Sequence, residues 1–227
     1  MKISLILPFL DEAASLPATL ANLASARAAP NDFEVIAVDG GSQDESVSIL
    51  DRHRDIRILR VPPGRAAQMN AGAAVATGDI LLFLHADSWL PVDAVAAITT
   101  ALSAGARWGR FDVTIAGKPL ILRVVASMMN VRSRLTGIAT GDQGIFVTRD
   151  AFNEVGGFPP IALMEDIALT KRLKRLAGPP ACLRQRIVTS GRRWEHRGPW
   201  RTIVTMWRVR LAYALGADPE RLARIYS

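Results

Sequence analysis

DILLFLHADSWLP, which occupies residues 79–91, begins as an apolar run and stops abruptly at a histidine and an aspartate. A short continuous apolar run bounded by turn residues is typical of a strand that is buried on both faces. Three similar runs precede it in the chain, namely KISLILP (2–8), FEVIAVDGG (33–41) and IRILRV (56–61). The sequence therefore predicts four buried strands before residue 92.

The segments between these strands have helical spacing. Apolar residues recur at helical intervals over 12–28, 43–54 and 65–77, with Ser42 and Gly64 at predicted starts and Gly78 at a stop. Alternating strands and helices imply parallel strands joined by right-handed crossovers, so we expect a doubly wound α/β sheet that is mostly parallel. In such sheets ligands bind at the carboxyl ends of the strands.

The second half of the chain continues the pattern less regularly. We predict a helix from Pro91 to about Ala104 and another ending near Leu215. Further predicted elements are strands at 107–117, 144–149 and 183–189, an amphipathic segment at 118–136, a turn at 155–160 and a helix at 165–176. We expect one domain over 1–183 with a basic helical extension, 184–227, packed on it.

Charge is unevenly distributed along the chain. The net charge is +7, and residues 184–227 hold 10 Lys/Arg against 3 Asp/Glu, which leaves 18 of each sign in 1–183. A basic tail predicts an anionic partner, either a membrane surface, a phosphate-bearing substrate or nucleic acid. No apolar stretch reaches the length of a membrane span and the N-terminus lacks a signal-peptide cleavage site, so we expect a cytoplasmic protein. The single Cys182 excludes an internal disulfide.

Carboxylates accumulate where the predicted strands end. Glu12 follows the first strand, Asp39 ends the second and Asp87 follows the fourth. The glycines after Asp39 suit a tight turn where backbone approaches a ligand. Arg65 opens a helix of small residues and, with the amide of Asn70, could face a diphosphate. This arrangement predicts a nucleotide whose phosphates lie beside Asp87 and a divalent metal.

Four longer motifs carry a family resemblance. They are PFLDEAASL (8–16), VDGGSQDES (38–46), RAAQMNAGAAVATGDILLFLHADSWLP (65–91) and GIFVTRDAFNEVGGFPPIALMEDIALTKRLKR (144–175). In order and approximate spacing they resemble the motifs of family 2 glycosyltransferases, which have the GT-A fold, a Rossmann-like fold for nucleotide-diphospho-sugars. The tail segments SGRRW (190–194) and ERLARIY (220–226) resemble a bacterial subgroup of radical-SAM/selenodomain-associated transferases.

The resemblance implies a role for each motif in an inverting transfer from a nucleotide-sugar. Asp39 would hydrogen-bond the nucleotide base, and Asp87 would be the last residue of a DxD motif that ligates Mg²⁺ or Mn²⁺. Asp166, in the Glu165-Asp166 pair, would be the general base. Arg192 and Arg193 are the candidates for contact with phosphate. The predicted nucleotide-sugar contacts are Pro8, Glu12, Asp39, Gly40, Arg65, Asn70, Ala86, Asp142, Arg193 and Trp194.

Some residues depart from the family pattern or leave alternatives open. His85 stands where the family commonly has the first Asp of DxD, so it is either a second metal ligand, which would favour Mn²⁺, or a packed side chain. Asp142 is either a turn residue or a contact to acceptor or sugar. Ser190 replaces the Gln of the QxxRW motif of processive synthases, which argues against a polymer synthase.

Two other classes of function stay open as alternatives. A nucleotidyltransferase would share the α/β fold and a metal-binding aspartate, but its Gly-rich, basic loop after the first strand is absent. A non-catalytic protein that binds anionic membranes or nucleic acid would explain the basic tail but not Asp39 or Asp166; we expect no nucleic acid partner. An apolar stripe in the tail either inserts into the inner face of a membrane or packs on the core. It consists of Trp200, Ile203, Val204, Trp207 and Leu211.

Overall fold

A computed structural model describes residues 1–26 and 33–226. Its strands are β1 (Ile3–Phe9), β2 (Phe33–Asp39), β3 (Ile56–Arg60), β4 (Ile80–Phe83), β5 (Ser88–Trp89), β6 (Trp108–Ile115), β7 (Ile145–Thr148) and β8 (Ala181–Thr189). Its helices are α1 (Leu16–Ala26), α2 (Ser46–Leu50), α3 (Arg65–Val75), α4 (Ala94–Ser103), α5 (Ile121–Thr136), α6 (Arg149–Glu154), α7 (Glu165–Leu176), α8 (Arg192–Arg197), α9 (Pro199–Ala214) and α10 (Pro219–Tyr226). A short 3₁₀ turn spans Gly141–Gln143.

All eight strands form one sheet in the order β3-β2-β1-β4-β7-β6-β8-β5. The four strands predicted from the first apolar runs are parallel neighbours, as expected. The other half is mixed, because β7 runs antiparallel to both β4 and β6, and β5 runs antiparallel to β8, while β6 and β8 are parallel. The α/β prediction is confirmed, but an apolar pattern alone does not fix strand direction.

Helices cover both faces of the sheet. On β1, Leu5 and Leu7 pack into a cluster with α1, α2 and α4, whereas Ile6 packs into a second cluster with α3, α6 and α7. Successive side chains of a strand point to opposite faces, so a strand covered on both sides must be apolar at every position. This is why the first strands read as uninterrupted apolar runs.

A third cluster joins the tail to the sheet. Val113 and Ile115 of β6 pack with Leu122 of α5 and with Trp194 of α8. Strand β8 crosses the expected boundary between residues 183 and 184 and is hydrogen-bonded to β6 and β5. The first part of the tail is therefore built into the sheet.

Several predicted element bounds differ from the structure. Helix α2 is short and begins at Ser46, because Ser42 instead donates from its N–H and hydroxyl to the Asp39 carboxylate. Helix α1 begins at Leu16, and the last two positions of its prediction, 27–28, lie outside the described residues. The elements β5, α6, α8 and α10 were not predicted, whereas α3 begins after Gly64 and α7 spans 165–176, as expected. In the part of the chain that the structure describes, no helix combines the length and apolarity that crossing a membrane needs.

Candidate active site

A cleft of about 790 Å³ lies at the carboxyl ends of β1 and β4 and is bordered by the start of α7 and by α8 and α9. Twelve of the predicted site residues line it. They are Pro8, Glu12, Arg65, His85, Ala86, Asp87, Asp142, Glu165, Asp166, Arg192, Arg193 and Trp194. The cleft therefore gathers residues from most of the chain's length at one edge of the sheet.

The stretch after β4 brings Asp87 into the cleft among other carboxylates. Burial raises the pKa of Asp87, and the nearby charges of Asp142 and Glu12 act in the same direction, whereas His85 and Arg192 lower it. The negative charge of Asp87, Asp142 and Glu12 in this part of the cleft favours binding of a cation. Mg²⁺ or Mn²⁺ held by one carboxylate and by substrate phosphates fits this setting. Within residues 1–26 and 33–226 no group of three His, Cys, Asp or Glu side chains converges to hold a metal without such phosphates.

His85 lines the cleft and packs against Gly141 and Asp142. Its Nδ1 lies 3.3 Å from Oδ1 of Asp142. Its Nε2 lies against Gly141, where even a methyl group would overlap the ring. This arrangement favours the alternative of a packed residue that orients Asp142, and the role of His85 as a metal ligand stays a prediction. That hydrogen bond, against the effect of burial, contributes to a lowered pKa of Asp142.

The start of α7 places two adjacent carboxylates in different surroundings. Glu165 is only 5% exposed, and burial, together with the charge of Asp166, raises the pKa of Glu165 to about 7. Asp166 is half-buried and accepts hydrogen bonds from the backbone N–H of Gly141 at 2.8 Å and of Ile167 at 2.6 Å. Burial raises the pKa of Asp166, although these two donors oppose the shift. Of these two carboxylates at the cleft, Asp166 is therefore the more exposed one, and backbone N–H groups fix its orientation.

Backbone geometry at this site was not visible in the sequence. Met164, which precedes α7, has φ 69° in the left-handed region, where a residue with a side chain is uncommon. Gly141 contacts His85 with its open face and Asp166 with its N–H. The Gly-Asp dipeptide at 141–142 is the sequence signal that could have indicated these contacts.

Asp39 and Gly40 lie beside the cleft rather than on its wall. Asp39 is buried, and its Oδ1 accepts hydrogen bonds from the N–H and hydroxyl of Ser42 at 2.8 and 2.7 Å. In the sheet it pairs with Phe9, which does line the cleft. Gly40 packs against the side chain of Gln68, whose amide donates to the Phe9 carbonyl at 2.8 Å.

Asn70 does not belong to the cleft. Its side-chain N–H donates to the Phe158 carbonyl at 2.8 Å, and its oxygen accepts from the Phe158 N–H at 3.0 Å. Because both ends of the amide bind one backbone position, Asn70 ties α3 to the turn at 155–160. The prediction that Asn70 contacts the nucleotide-sugar is corrected accordingly.

The tail supplies one wall of the cleft. Nη2 of Arg192 lies 2.5 Å from Oε2 of Glu12 and 3.8 Å from Oδ2 of Asp87, so this arginine joins the ends of β1 and β4 to α8. Trp194 is buried in the third cluster and also lines the cleft. Helix α9 adds Thr202, Met206 and Arg210, which sequence reasoning did not single out.

Two solved structures with this architecture are glycosyltransferases. S. aureus TarS 1–349 in complex with UDP-GlcNAc superimposes with a TM-score of 0.70 at 17% identity, covering 100% of this chain and 70% of that one. The mannosyltransferase PcManGT from Pyrobaculum calidifontis, in complex with GDP-Man and Mn²⁺, gives a TM-score of 0.68 at 22% identity, covering 99% and 68%. The fold is that of GT-A glycosyltransferases, as predicted.

The family follows from the sequence match. The model of Glycosyl transferase family 2 matches residues 4–155, more than half of the chain, so this protein belongs to that family. A PGL/p-HBAD biosynthesis glycosyltransferase of Mycobacterium tuberculosis is 42% identical over 98 residues, which cover 38% of this chain and 36% of that protein. An uncharacterized glycosyltransferase of Mycobacterium bovis is 29% identical over 104 residues, covering 46% and 45%. The matched segments span less than half of these curated relatives.

Proposed function

We propose that this protein transfers a sugar from a nucleotide-diphosphate donor to an acceptor hydroxyl or phosphate, with inversion at the anomeric carbon. The observation that carries the proposal is one cleft lined by Asp87, by the Glu165-Asp166 pair and by several arginines. Membership of Glycosyl transferase family 2 supports sugar transfer. Neighbours of the same fold, solved with UDP-GlcNAc and with GDP-Man, support a nucleotide-sugar donor.

The donor would lie along the ends of the parallel strands. The base would bind next to Asp39 and Glu12, near Pro8 and Phe9, and the diphosphate would extend towards Arg65 and Asp87. Arg65 is at the first position of α3, where the helix N-terminus adds to its attraction for phosphate. Arg192 and Arg193 would approach from the tail.

Asp87 would hold the divalent metal, together with oxygens of the diphosphate. The metal would be Mn²⁺ or Mg²⁺, and when bound it would offset the negative charge that grows on the leaving diphosphate. The Mn²⁺ in the related mannosyltransferase supports this part of the proposal. Arg192, which already contacts Glu12 and lies near Asp87, would add a fixed positive charge on the same side.

Asp166 would accept the proton from the acceptor hydroxyl as the hydroxyl oxygen attacks the anomeric carbon. A general base works best when its pKa is near the working pH, and burial shifts the pKa of Asp166 upward in that direction. Two backbone N–H groups hold its carboxylate in one orientation. Glu165, the adjacent carboxyl group, resists carrying a charge beside a charged Asp166, as its pKa of about 7 indicates.

The basic tail, which would reach the donor diphosphate through Arg192 and Arg193, would also border the acceptor. This supports an acceptor that carries a phosphate or that is presented at an anionic membrane surface, with the reaction on the cytoplasmic side. We propose residues 184–227 as an extension that completes this wall of a GT-A domain over 1–183. The resemblance of the tail to radical-SAM/selenodomain-associated transferases stays a prediction.

The first test is thermal unfolding with UDP, GDP, CMP and dTDP, each with and without Mn²⁺. We expect one nucleotide to stabilise the wild type in a metal-dependent way, by about 2.7 kcal/mol at 100 times its dissociation constant. Asp87→Ala should abolish the metal-dependent part. Asp51→Ala, which removes an exposed aspartate after α2, should leave it unchanged.

Other outcomes would favour the alternative functions. Stabilisation by nucleoside triphosphates with release of pyrophosphate would indicate a nucleotidyltransferase. If no nucleotide stabilises the protein while DNA or anionic lipid binds equally well in wild type and Asp87→Ala, the protein is a non-catalytic anion-binding module and sugar transfer is rejected.

A further inference from the structure

Helix α9 carries an apolar stripe that faces away from the protein. Its residues follow one another at spacings of three and four, which puts them on one helix face. Each is between 54% and 80% exposed: Trp200, Val204, Trp207, Leu211 and Leu215. The opposite face packs inward, with Thr202 and Val209 buried and Ile203 packed against the third cluster. Ile203 therefore belongs to the core and not to the exposed stripe.

Helix α5 and the residue before it carry a second exposed stripe, between 52% and 81% exposed. It comprises Leu120, Val124, Met128, Val131 and Leu135. The inner face of α5 packs on β6, and its Val125 joins the same cluster as Ile203 and Met206 of α9. Two neighbouring helices thus each turn an apolar stripe outward. We call these ten residues the α5–α9 face.

The charges on these helices are of one sign. Neither 121–136 nor 199–214 contains an Asp or Glu. Arg123 of α5 and Arg201 and Arg208 of α9 are exposed and border the apolar stripes. The two helices that bear the apolar stripes thus contribute cations and no anions, which is complementary to an anionic, partly apolar partner.

This charge pattern argues against a second copy of the chain as the occupant. A two-fold interface places the same patch on both sides, so it would bring the arginines of one copy near those of the other. Like charges at an interface disfavour association. A bilayer with anionic head groups instead offers phosphates to the arginines and acyl chains to the stripes.

We propose that the α5–α9 face docks on the surface of an anionic membrane, with Trp200 and Trp207 at the level of the head groups. Tryptophan is favoured there because its ring is apolar and its N–H is polar. The inner side of α9 lines the cleft through Thr202, Met206 and Arg210, so docking would bring the cleft next to the bilayer. This docking proposal does not rest on the proposed sugar transfer.

The test is co-sedimentation of the full chain with vesicles of phosphatidylcholine alone or mixed with phosphatidylglycerol, combined with tryptophan fluorescence. We expect binding to the anionic vesicles at low salt, a blue shift of the emission, and weaker binding as salt is raised. Trp207→Ser on α9 and Val131→Ser on α5 should each lower the partition coefficient about tenfold. Val92→Ser, at a 90% exposed apolar position outside the face, should have no effect.

The proposal is overturned if the wild type ignores anionic vesicles at low salt, or if both stripe variants bind as tightly as the wild type. It is also overturned if sedimentation velocity shows a dimer that Trp207→Ser dissociates while vesicles do not bind, because the occupant is then a second copy. Thermal unfolding checks that the variants fold. Asp87→Ala should bind vesicles normally, so failure of nucleotide binding and failure of membrane docking are separate results.

Discussion

Glu165 and Asp166 are adjacent in sequence, yet the fold gives their carboxyl groups different surroundings. Both line the cleft, but Glu165 is only 5% exposed, whereas Asp166 is half-buried and is held by two backbone N–H groups. Two neighbouring carboxylates in a poorly solvated site resist being charged together. Protonation of this pair should therefore make the free energy of unfolding of the protein depend on pH.

Glu165→Gln tests this titration. The pKa of Glu165 is raised from 4.5 to about 7 in the folded protein, so the folded state favours the protonated form. The resulting stability is fully present below pH 4.5 and is lost as the pH rises towards 7. We expect the variant to exceed the wild type by about 2 to 3 kcal/mol in free energy of unfolding at pH 8 and to match it near pH 4.5.

Urea unfolding at the two pH values measures this difference. Asp166→Asn is the matched variant, because it removes the neighbouring charge and should lower the pKa of Glu165, which shrinks the pH dependence. An equal gain for Glu165→Gln at both pH values would show that Glu165 does not titrate in this range.

Site residues could be predicted from the sequence where neighbouring residues determine their position, and not where a distant partner does. Asp87 and Glu12 were predictable because a strand end and its next residues must lie at the sheet edge. Asn70 was not, since its partner is Phe158, 88 positions further along the chain. His85 was ambiguous for the same reason, because Asp142 and Gly141 decide which way its ring nitrogens point.

At the level of elements, the packing of α3 on the sheet depends on a glycine. Gly72 is buried where a methyl group would lie 2.5 Å from Cγ2 of Ile6 and 3.1 Å from Cγ2 of Val38. Both of those side chains are fully buried and have little room to move. Close contact between helix and sheet here positions Arg65 at the other end of α3.

Gly72→Ala should lower the free energy of unfolding by about 1 to 2 kcal/mol, because overpacking outweighs the gain of about 1 kcal/mol in helix propensity. Ala74→Gly, at an exposed position of α3, measures the propensity contribution by itself. Urea denaturation of both variants provides the comparison. A more stable Gly72→Ala variant would mean that α3 can move away from β1 without loss.

Some helices and strands could be recognised from their own sequence, whereas others depend on contacts with distant parts of the chain. The first four strands were predictable because burial on both faces leaves a continuous apolar pattern. The two-residue β5 was not, since it exists only through pairing of Ser88 and Trp89 with β8. Helix α8 was not predicted because, among its side chains that the structure describes (192–196), only Trp194 is buried, and the partners of Trp194 lie on β6 and α5.

Across the whole molecule, a buried charge network joins three elements. Arg110 of β6 is fully buried and donates to Asp112, whose other oxygen accepts from Arg134 of α5 at 2.7 Å. Arg110 also donates to the Asn130 carbonyl at 3.2 Å, and Arg134 donates to the Cys182 carbonyl on β8 at 3.1 Å. One carboxylate thus compensates the cations that hold α5, β6 and β8 together.

Asp112→Ala should destabilise the protein by about 3 to 5 kcal/mol, because it leaves Arg110 buried without its counter-charge. Glu154→Ala is the matched control, since its partner Arg107 forms a surface pair that should contribute less than about 1 kcal/mol. Chemical denaturation quantifies both. Similar small losses for the two variants would show that the buried network is not needed to join these elements.

Arg192 connects Glu12 and Asp87 to the last part of the chain, and this has a consequence for how the protein is made. The contact with Glu12 closes a loop of 180 positions. At translation rates of about 5 to 20 residues per second, the first partner waits roughly 10 to 40 s for the second. The parallel strands can assemble during that interval, but the cleft stays open on one side. A nascent chain therefore lacks the wall formed by α8 and α9 until those helices have been synthesised, and fragments that stop before residue 192 do not contain it.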